Sequence, residues 1–442
     1  MAENVKSSRF AKNVSIVIIR MVIGGLLGLF VTTFLARTLG PEGNGVYALA
    51  ILFPLTAVAF GGLGIGPATV YLISSGKFSV PEVIAKNTLI SLLAATFTVV
   101  IGVLLLFVYG KQWFAGVPFS VLILALLTTF PLMLFGSLVA VFQGRQNFSQ
   151  FGFFTILPQA TAAVFFVITL RFFEDKVTAA VAIWGLGYVV GSGAVLYALR
   201  VAFGGFARNL RTESHYLPSV FKYGLTAHAG NLVTFLNYRV DVYLLGALAG
   251  LHSVGIYAVT VPITEAVWLL SNAASSVIFP FIASLQGNSV DKNKVTSFVS
   301  RWVFFATVTF ALVIGFLSNQ IINLLFGTAY AEAGEALIWL LPGTVLWAVA
   351  RVLCNDIAGR GRPEINLFIS IFALIVNVGA NILLIPSFGV TGAAMASSIS
   401  YGLLTVTAII VYSRITQLGI RELIIPSWHD WLILRGLLSR LR

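Results

Sequence analysis

The chain has 442 residues, 58% of them hydrophobic and 10% charged, and a mean hydropathy of +0.97. An average soluble domain is about 45–50% apolar and about 25% charged, so this composition excludes both a water-soluble globule and a disordered chain. The net charge of +12, from 27 Lys and Arg against 15 Asp and Glu, would suggest nucleic acid in a soluble protein; here it must be judged by where the basic residues fall relative to apolar segments.

The first apolar run, 13–36, follows Lys6, Arg9 and Lys12. A secretory signal has an apolar stretch of only ~7–15 residues, so this longer run is expected to be a retained first membrane helix. Eleven further segments follow at 46–72, 86–108, 118–142, 151–170, 178–200, 221–249, 254–280, 297–318, 334–357, 365–385 and 389–413. A bilayer span needs ~20 apolar residues. None of the segments has the strict alternation of barrel strands. The expected fold is an all-α polytopic membrane protein of twelve transmembrane helices. It divides into a six-helix lobe over 1–200, a cytoplasmic linker over 201–220, a second six-helix lobe over 221–413 and a cytoplasmic tail over 414–442. Within the tail, Pro426 and Ser427 suit a helix start, and Trp428 and Trp431 suit a short helix lying on the membrane surface.

Orientation follows from the basic residues. With the N-terminus in the cytoplasm, 20 Lys and Arg fall on the inside and four outside: Arg37, Lys111, Arg171 and Lys176. Three remain within spans: Arg20, Arg239 and Arg351. This bias fits the positive-inside rule and puts both termini in the cytoplasm. The positive charge then faces anionic lipid rather than nucleic acid. A lone cysteine, Cys354, excludes an internal disulfide. The four histidines lie too far apart to suggest a metal site, and no metal or other cofactor is expected.

The halves of the sequence repeat. Gly40-Pro41-Glu42-Gly43-Asn44-Gly45-Val46-Tyr47-Ala48-Leu49 and Gly250-Leu251-His252-Ser253-Val254-Gly255-Ile256-Tyr257-Ala258-Val259 share the pattern G-x4-G-[V/I]-Y-A-[L/V], 210 residues apart. Gly144-Arg145 recurs as Gly359-Arg360, and Val177-Thr178-Ala179-Ala180 as Val390-Thr391-Gly392-Ala393. Six helices return a chain to its starting side, so the copies are expected to be parallel repeats, with a polar cavity between them near the midplane. The G-x4-G spacing is no P-loop, since Lys-Ser/Thr does not follow the second glycine.

The stretch Leu35-Ala36-Arg37-Thr38 continuing into Leu39–Leu49 resembles the first loop of polysaccharide flippases, the O-antigen and exopolysaccharide translocases of the multidrug/oligosaccharidyl-lipid/polysaccharide (MOP) superfamily. Phe142-Gln143-Gly144-Arg145-Gln146 and Asp241-Val242-Tyr243-Leu244-Leu245 also resemble that family. The resemblance covers about 1–415. It implies passage of a polyprenyl-diphosphate-linked oligosaccharide from the inner to the outer leaflet of a prokaryotic cytoplasmic membrane, with membrane lipids, polysaccharide polymerase and glycosyltransferases as partners and no nucleic acid. Lipid II flippases usually have fourteen helices and an arginine-rich cavity, which argues against lipid II as cargo. Drug exporters of the superfamily, with twelve helices, stand as the alternative. A membrane polymerase or ligase is disfavoured, because no large exterior loop and no nucleophile motif is present.

An ionisable side chain at the bilayer centre costs at least ~2.5–3.5 kcal/mol, which singles out Arg20, Arg239, Asp241, Glu265, Arg351 and Asp356. Arg239 and Glu265 lie 13 residues on either side of His252, about 20 Å down adjacent helices. They are an expected ion pair, whose role is either a structural lock or a substrate contact. Asn231, Thr234, Tyr238 and Asp241 form a polar stripe, facing either a cavity or a packed helix. Glu265 shares a face with Trp268 and Asn272 and is, with Asp241, the candidate for coupling. Arg20, followed by Gly24 and Gly28, is the preferred diphosphate ligand, since arginine pairs with phosphate oxygens through parallel hydrogen bonds; its alternative is snorkelling to the headgroups. Arg351 could border the cavity. Asp356 is expected to form a surface-end salt bridge with Arg360. Asn377 and Asn381 share a face and suit sugar hydroxyls or a neighbouring helix. The expected substrate-binding set is therefore Arg20, Arg239, Arg351, Asn231, Tyr238, Asn377 and Asn381.

Overall fold

The computed structural model describes residues 2–204, 216–284, 289–426 and 430. Among these the regular structure is helical throughout. In hydrocarbon each backbone N–H and C=O must be paired within its own segment, and long apolar runs achieve that as helices. In chain order the helices are α1 (Ala2–Gly61), α2 (Ile65–Ser74), α3 (Val80–Trp113), α4 (Phe119–Leu127), α5 (Thr129–Gly144), α6 (Phe148–Thr169) and α7 (Lys176–Phe203). They continue as α8 (Tyr216–Ser284), α9 (Ser289–Phe316), α10 (Ser318–Leu325), α11 (Glu332–Gly359), α12 (Pro363–Thr416) and α13 (Ile420–Ile424).

Nine helical segments among the described residues are long and apolar enough to cross a bilayer. Three of them, Ile18–Gly61, His228–Leu269 and Pro363–Thr416, run to 44, 42 and 54 residues, about twice one crossing. Each is divided by a glycine outside helical geometry: Gly40 (φ 69°, ψ 174°), Gly250 (φ 82°, ψ 177°) and Gly389 (φ 54°, ψ −126°). A side chain at such a φ would meet the following carbonyl, so the chain turns where glycine allows it. The sequence segments on either side of these turns correspond to the two arms of each helix.

The duplication is visible in the backbone. Gly40 and Gly250, the first glycines of the repeated motif, take nearly the same φ and ψ. α5 and α11 end alike, on Arg145 (φ −83°, ψ 0°) and Arg360 (φ −81°, ψ 1°). In both, the amide two residues later closes on the preceding turn, Asn147 N–H to Phe142 O at 2.9 Å and Arg362 N–H to Ile357 O at 3.2 Å, as in a Schellman end. The third repeat opens helical arms in both halves by different means. Asp175 caps α7 through Thr178 N–H at 3.0 Å, whereas Val390 follows the Gly389 turn.

Residues 1–259 and 260–442 form two compact units. The division falls in the second arm of α8, well past the linker expected at 201–220. In the first unit, Leu35, Tyr47 and Ala50 of α1 pack with Phe166 of α6 and Ala180 of α7. Ile84, Phe135, Phe142 and Leu199 join α3, α5 and α7. In the second unit, Val349, Leu353 and Ile357 of α11 pack with Ile409 and Tyr412 of α12 and Leu423 of α13. The outer faces are as apolar as the cores: Phe107, Phe316 and Leu383 are 72%, 84% and 76% exposed, a pattern tolerable only where the surrounding solvent is hydrocarbon. Of the surface helix expected from Pro426 onwards only Pro426 and Asp430 are described, and residues 205–215 of the expected linker lie outside the described residues.

Two helix breaks interrupt segments read as continuous in the sequence. Thr128 separates α4 from α5 within 118–142. Within 46–72, Leu63 (φ 49°) and Gly64 (φ 69°) separate α1 from α2.

Candidate functional site

Arg20 lies half-buried on the first arm of α1. Its guanidinium carbon sits 5.3 Å from the centre of the Phe151 ring, and its aliphatic stem passes Gly152 on α6. The missing Cβ at Gly152 leaves room for that stem. Stacking on the ring partly offsets the loss of hydration. The buried Nε–H has no hydrogen-bond partner among the described residues, which leaves a donor that a phosphate oxygen could accept. Arg351 is half-buried on α11, where its carbonyl accepts from Asn355 Nδ2 at 2.8 Å.

The stripe on α8 runs from surface to interior. Asn231 is exposed, Thr234 and Tyr238 are half-buried, and Asp241 is buried. Both Asp241 oxygens are engaged: the Tyr257 hydroxyl donates to Oδ2 at 2.6 Å and Val242 N–H to Oδ1 at 2.8 Å. Tyr257 is the tyrosine of the second repeated motif, so the repeat and the candidate coupling carboxylate form one assembly. In the sequence their only shared signal is a 16-residue spacing across the turn at Gly250.

Arg239 is half-buried on the first arm of α8 and Glu265 half-buried on its second arm. One turn beyond Glu265, the buried Trp268 donates from Nε1 to Thr344 O on α11 at 3.1 Å. Its ring lies 6.3 Å from Trp347 and 6.0 Å from Tyr401, and those two lie 5.3 Å apart. This triplet locks the second arm of α8 onto α11 and α12.

Asn377 and Asn381 are fully buried. Asn381 Nδ2 donates to the Asn377 backbone and side-chain oxygens at 2.8 and 3.0 Å. Asn377 Nδ2 and Asn381 Oδ1 have no partner among the described residues. The pair therefore holds one spare donor and one spare acceptor, the complement of a hydroxyl, but a sugar would reach them only after neighbouring helices part.

Asp356 corrects the expectation of a surface-end salt bridge. It does pair with Arg360, Nε to Oδ1 at 2.6 Å and a second nitrogen to Oδ2 at 3.0 Å. The carboxylate, however, is fully buried. Tyr412 donates to it, and Arg360 also reaches Asn293 Oδ1 at 2.8 Å. The sequence spacing shows the i, i+4 pair but not the partners that α9 and α12 supply.

The apolar run 46–72 is not one helix but breaks after α1 at Gly61. A continuous helix would pair Phe60 O with the amide of Gly64. Here His228 Nε2 lies 3.2 Å from that oxygen, and since the carbonyl can only accept, the ring nitrogen donates. One turn earlier on α8, Gly224 packs directly on the backbone of Leu63 and Gly64. Above the break is an apolar groove of about 620 Å³, walled by α1, α3 and the first arm of α8.

Residues 10–286 match the family described as polysaccharide biosynthesis protein. A probable low-salt glycan biosynthesis flippase, Agl15 of Haloferax volcanii, is 26% identical over 194 residues, 42% of this chain and 40% of that protein. The chain thus spans about two fifths of that relative, and 46% of a probable flippase, AglR, from the same organism. A putative O-antigen transporter of Shigella flexneri is 24% identical over 386 residues, 83% of this chain and 88% of that protein. Among solved structures, an inward-facing multidrug resistance MATE transporter of the MOP superfamily superimposes with a TM-score of 0.75 at 17% identity, covering 89% of this chain and 94% of that one. The lipid II flippase MurJ in an inward closed conformation gives 0.75 at 17%, covering 92% and 88%. The repeated motif, the apolar helices and the sequence match agree: the chain belongs to the polysaccharide biosynthesis protein family, with the fold of MOP-superfamily transporters.

Proposed function

We propose that the protein carries a polyprenyl-diphosphate-linked oligosaccharide from the inner to the outer leaflet of a prokaryotic cytoplasmic membrane by alternating access, as a transporter rather than an enzyme. The observation that carries this reading is the family match over residues 10–286, together with relatives named as glycan flippases and an O-antigen transporter. In this reading the three divided segments give twelve spans, in two six-helix lobes over 1–200 and 221–413, with both termini in the cytoplasm.

Arg20 and Arg351 supply cationic donors to the diphosphate, with Arg239 as a third. Asn231, Tyr238, Asn377 and Asn381 meet the glycan as helices part, and Asp241 and Glu265 are the candidate proton carriers. A membrane potential negative inside drives an anion outward by about 2.3 kcal/mol per charge per 100 mV. Glycosyltransferases that build the cargo and a polymerase that consumes it are the expected neighbours. Deleting the gene tests the reading: polyprenyl-diphosphate glycan should accumulate on the inner leaflet and surface polysaccharide should fall. Normal polysaccharide with new sensitivity to cationic dyes would instead favour a small-molecule exporter, a reading supported by the equally good superposition on the MATE transporter.

A further inference from the structure

The groove above the α1–α2 break is built from regular spacing on three helices. α3 contributes Ala94, Phe97, Thr98, Ile101, Gly102 and Leu105, a stripe at i, i+3, i+4, i+7, i+8 and i+11 along one helix face. The second arm of α1 and the first arm of α8 add stripes of the same period, beginning at Phe53 and Val240. Small residues at Ala57, Ala94 and Ala247 make the hollow, and aromatic rings make the walls.

Of the polar side chains in the wall, Thr56, Thr98, Trp113 and Tyr243, two are occupied with each other. Thr56 donates to Leu52 O at 2.9 Å, which leaves the Tyr243 hydroxyl to donate to Thr56 Oγ1 at 2.8 Å. A ligand therefore meets mostly hydrocarbon and ring faces. Phe97 and Phe60 at the edge are 69% and 53% exposed, so the groove is open sideways to lipid. The α3 stripe is about 16 Å long at 1.5 Å per residue, roughly half the ~30 Å hydrocarbon thickness. It spans one leaflet.

At the end assigned to the outside by the positive-inside pattern, Phe114 closes the groove. It packs edge-on against Phe53 at 5.0 Å and Tyr243 at 5.8 Å. Phe114 also lines a second cavity of about 570 Å³, which contains Lys111. One leaflet of apolar groove thus leads to a cation at the headgroup level.

We infer that this groove holds the isoprenoid tail of the lipid-linked cargo in the outer leaflet, with its phosphate head at Lys111. The inference rests on the translocation reading and adds the tail's seat to it. A branched hydrocarbon chain fits a wall built mostly of apolar side chains, and an anionic head complements the lysine.

The test uses the full-length protein in nanodiscs and a polyisoprenyl phosphate carrying a diazirine on its chain. Label should appear on α3 between residues 94 and 113. Excess long-chain polyprenyl phosphate should suppress it about tenfold, and phosphatidylglycerol should not. Ala247→Trp and, as a milder filling, Ala94→Leu should each cut labelling several-fold, and Lys111→Glu should weaken competition by the phosphate. Equal competition by phosphatidylglycerol would show an ordinary lipid seat and overturn the proposal, as would label elsewhere or label indifferent to both fillings. The two readings fail separately. Inner-leaflet glycan accumulating in the deletion strain, with label outside the groove, sinks only the tail site. Groove labelling without any export defect sinks only translocation.

Discussion

Gly45 and Gly255, the second glycines of the two copies of the repeated motif, pack against each other's backbone. A Cβ on Gly45 would overlap the carbonyl oxygen of Leu251, and a Cβ on Gly255 would overlap that of Pro41. Asn44 Nδ2 adds a hydrogen bond to Gly255 O at 3.1 Å. The contact is reciprocal, as expected where two copies of one loop meet about a local two-fold axis. The motif is therefore glycine for two reasons: its first glycine turns the chain and its second lets the copies touch.

Gly45→Ala and Gly255→Ala should each lower stability by about 1–3 kcal/mol, the usual cost of forcing an atom into a packed contact. Gly24→Ala and Gly25→Ala, in helix with open space around the added carbon, should be neutral or gain about 0.5–1 kcal/mol. Thermal unfolding of the detergent-purified protein compares them. Equal effects at all four positions would contradict the packed contact.

His228→Ala should cost about 0.5–1.5 kcal/mol by removing the donor to Phe60 O, while His228→Gln, which keeps an N–H, should recover part of it. Hydrogen exchange around residues 60–65 reads the same contact locally, and faster exchange in the alanine variant is the expected result.

Arg360→Met leaves the buried Asp356 carboxylate without its counter-ion and should destabilise by about 3–5 kcal/mol. Adding Asp356→Asn to that variant should restore much of the loss, because the uncompensated charge is gone. A double variant no better than the single would show that packing of the arginine stem dominates.

Asp175, outside the spans at the start of α7, is held below the usual carboxylate range by hydrogen bonds from the Thr178 side chain and amide. A depressed folded-state value means that its stabilisation is present above the ordinary carboxylate pKa and is lost as pH falls through the lowered one. Asp175→Ala should cost about 1 kcal/mol at neutral pH and progressively less in acid. A deficit that persists unchanged at low pH would rule out capping by the charged form.

Much of this architecture is legible in the sequence, because a bilayer imposes length and apolarity on every span. The apolar runs, the turns at Gly40 and Gly250 and the matching helix ends at Arg145 and Arg360 all follow from local composition. What a linear pattern cannot show is which helix supplies a partner. Tyr257 reaching Asp241, Tyr412 reaching Asp356 and Asn293 reaching Arg360, and His228 completing the Phe60 carbonyl each join residues brought near by packing. The break at Leu63 was hidden for a different reason: Gly61, Gly62 and Gly64 lie in an apolar run, and glycine in a membrane helix signals close packing as readily as a turn.

Translocation itself is tested most directly in proteoliposomes containing the purified protein and a fluorescent polyprenyl-diphosphate oligosaccharide, by following how much label a membrane-impermeant quencher reaches over time. The account predicts protein-dependent transfer between leaflets, slowed about tenfold or more by Arg20→Ala through loss of a charge-assisted phosphate contact, with the unfolding temperature unchanged. Quenching no faster than in protein-free vesicles, while a cationic dye crosses readily, would contradict it.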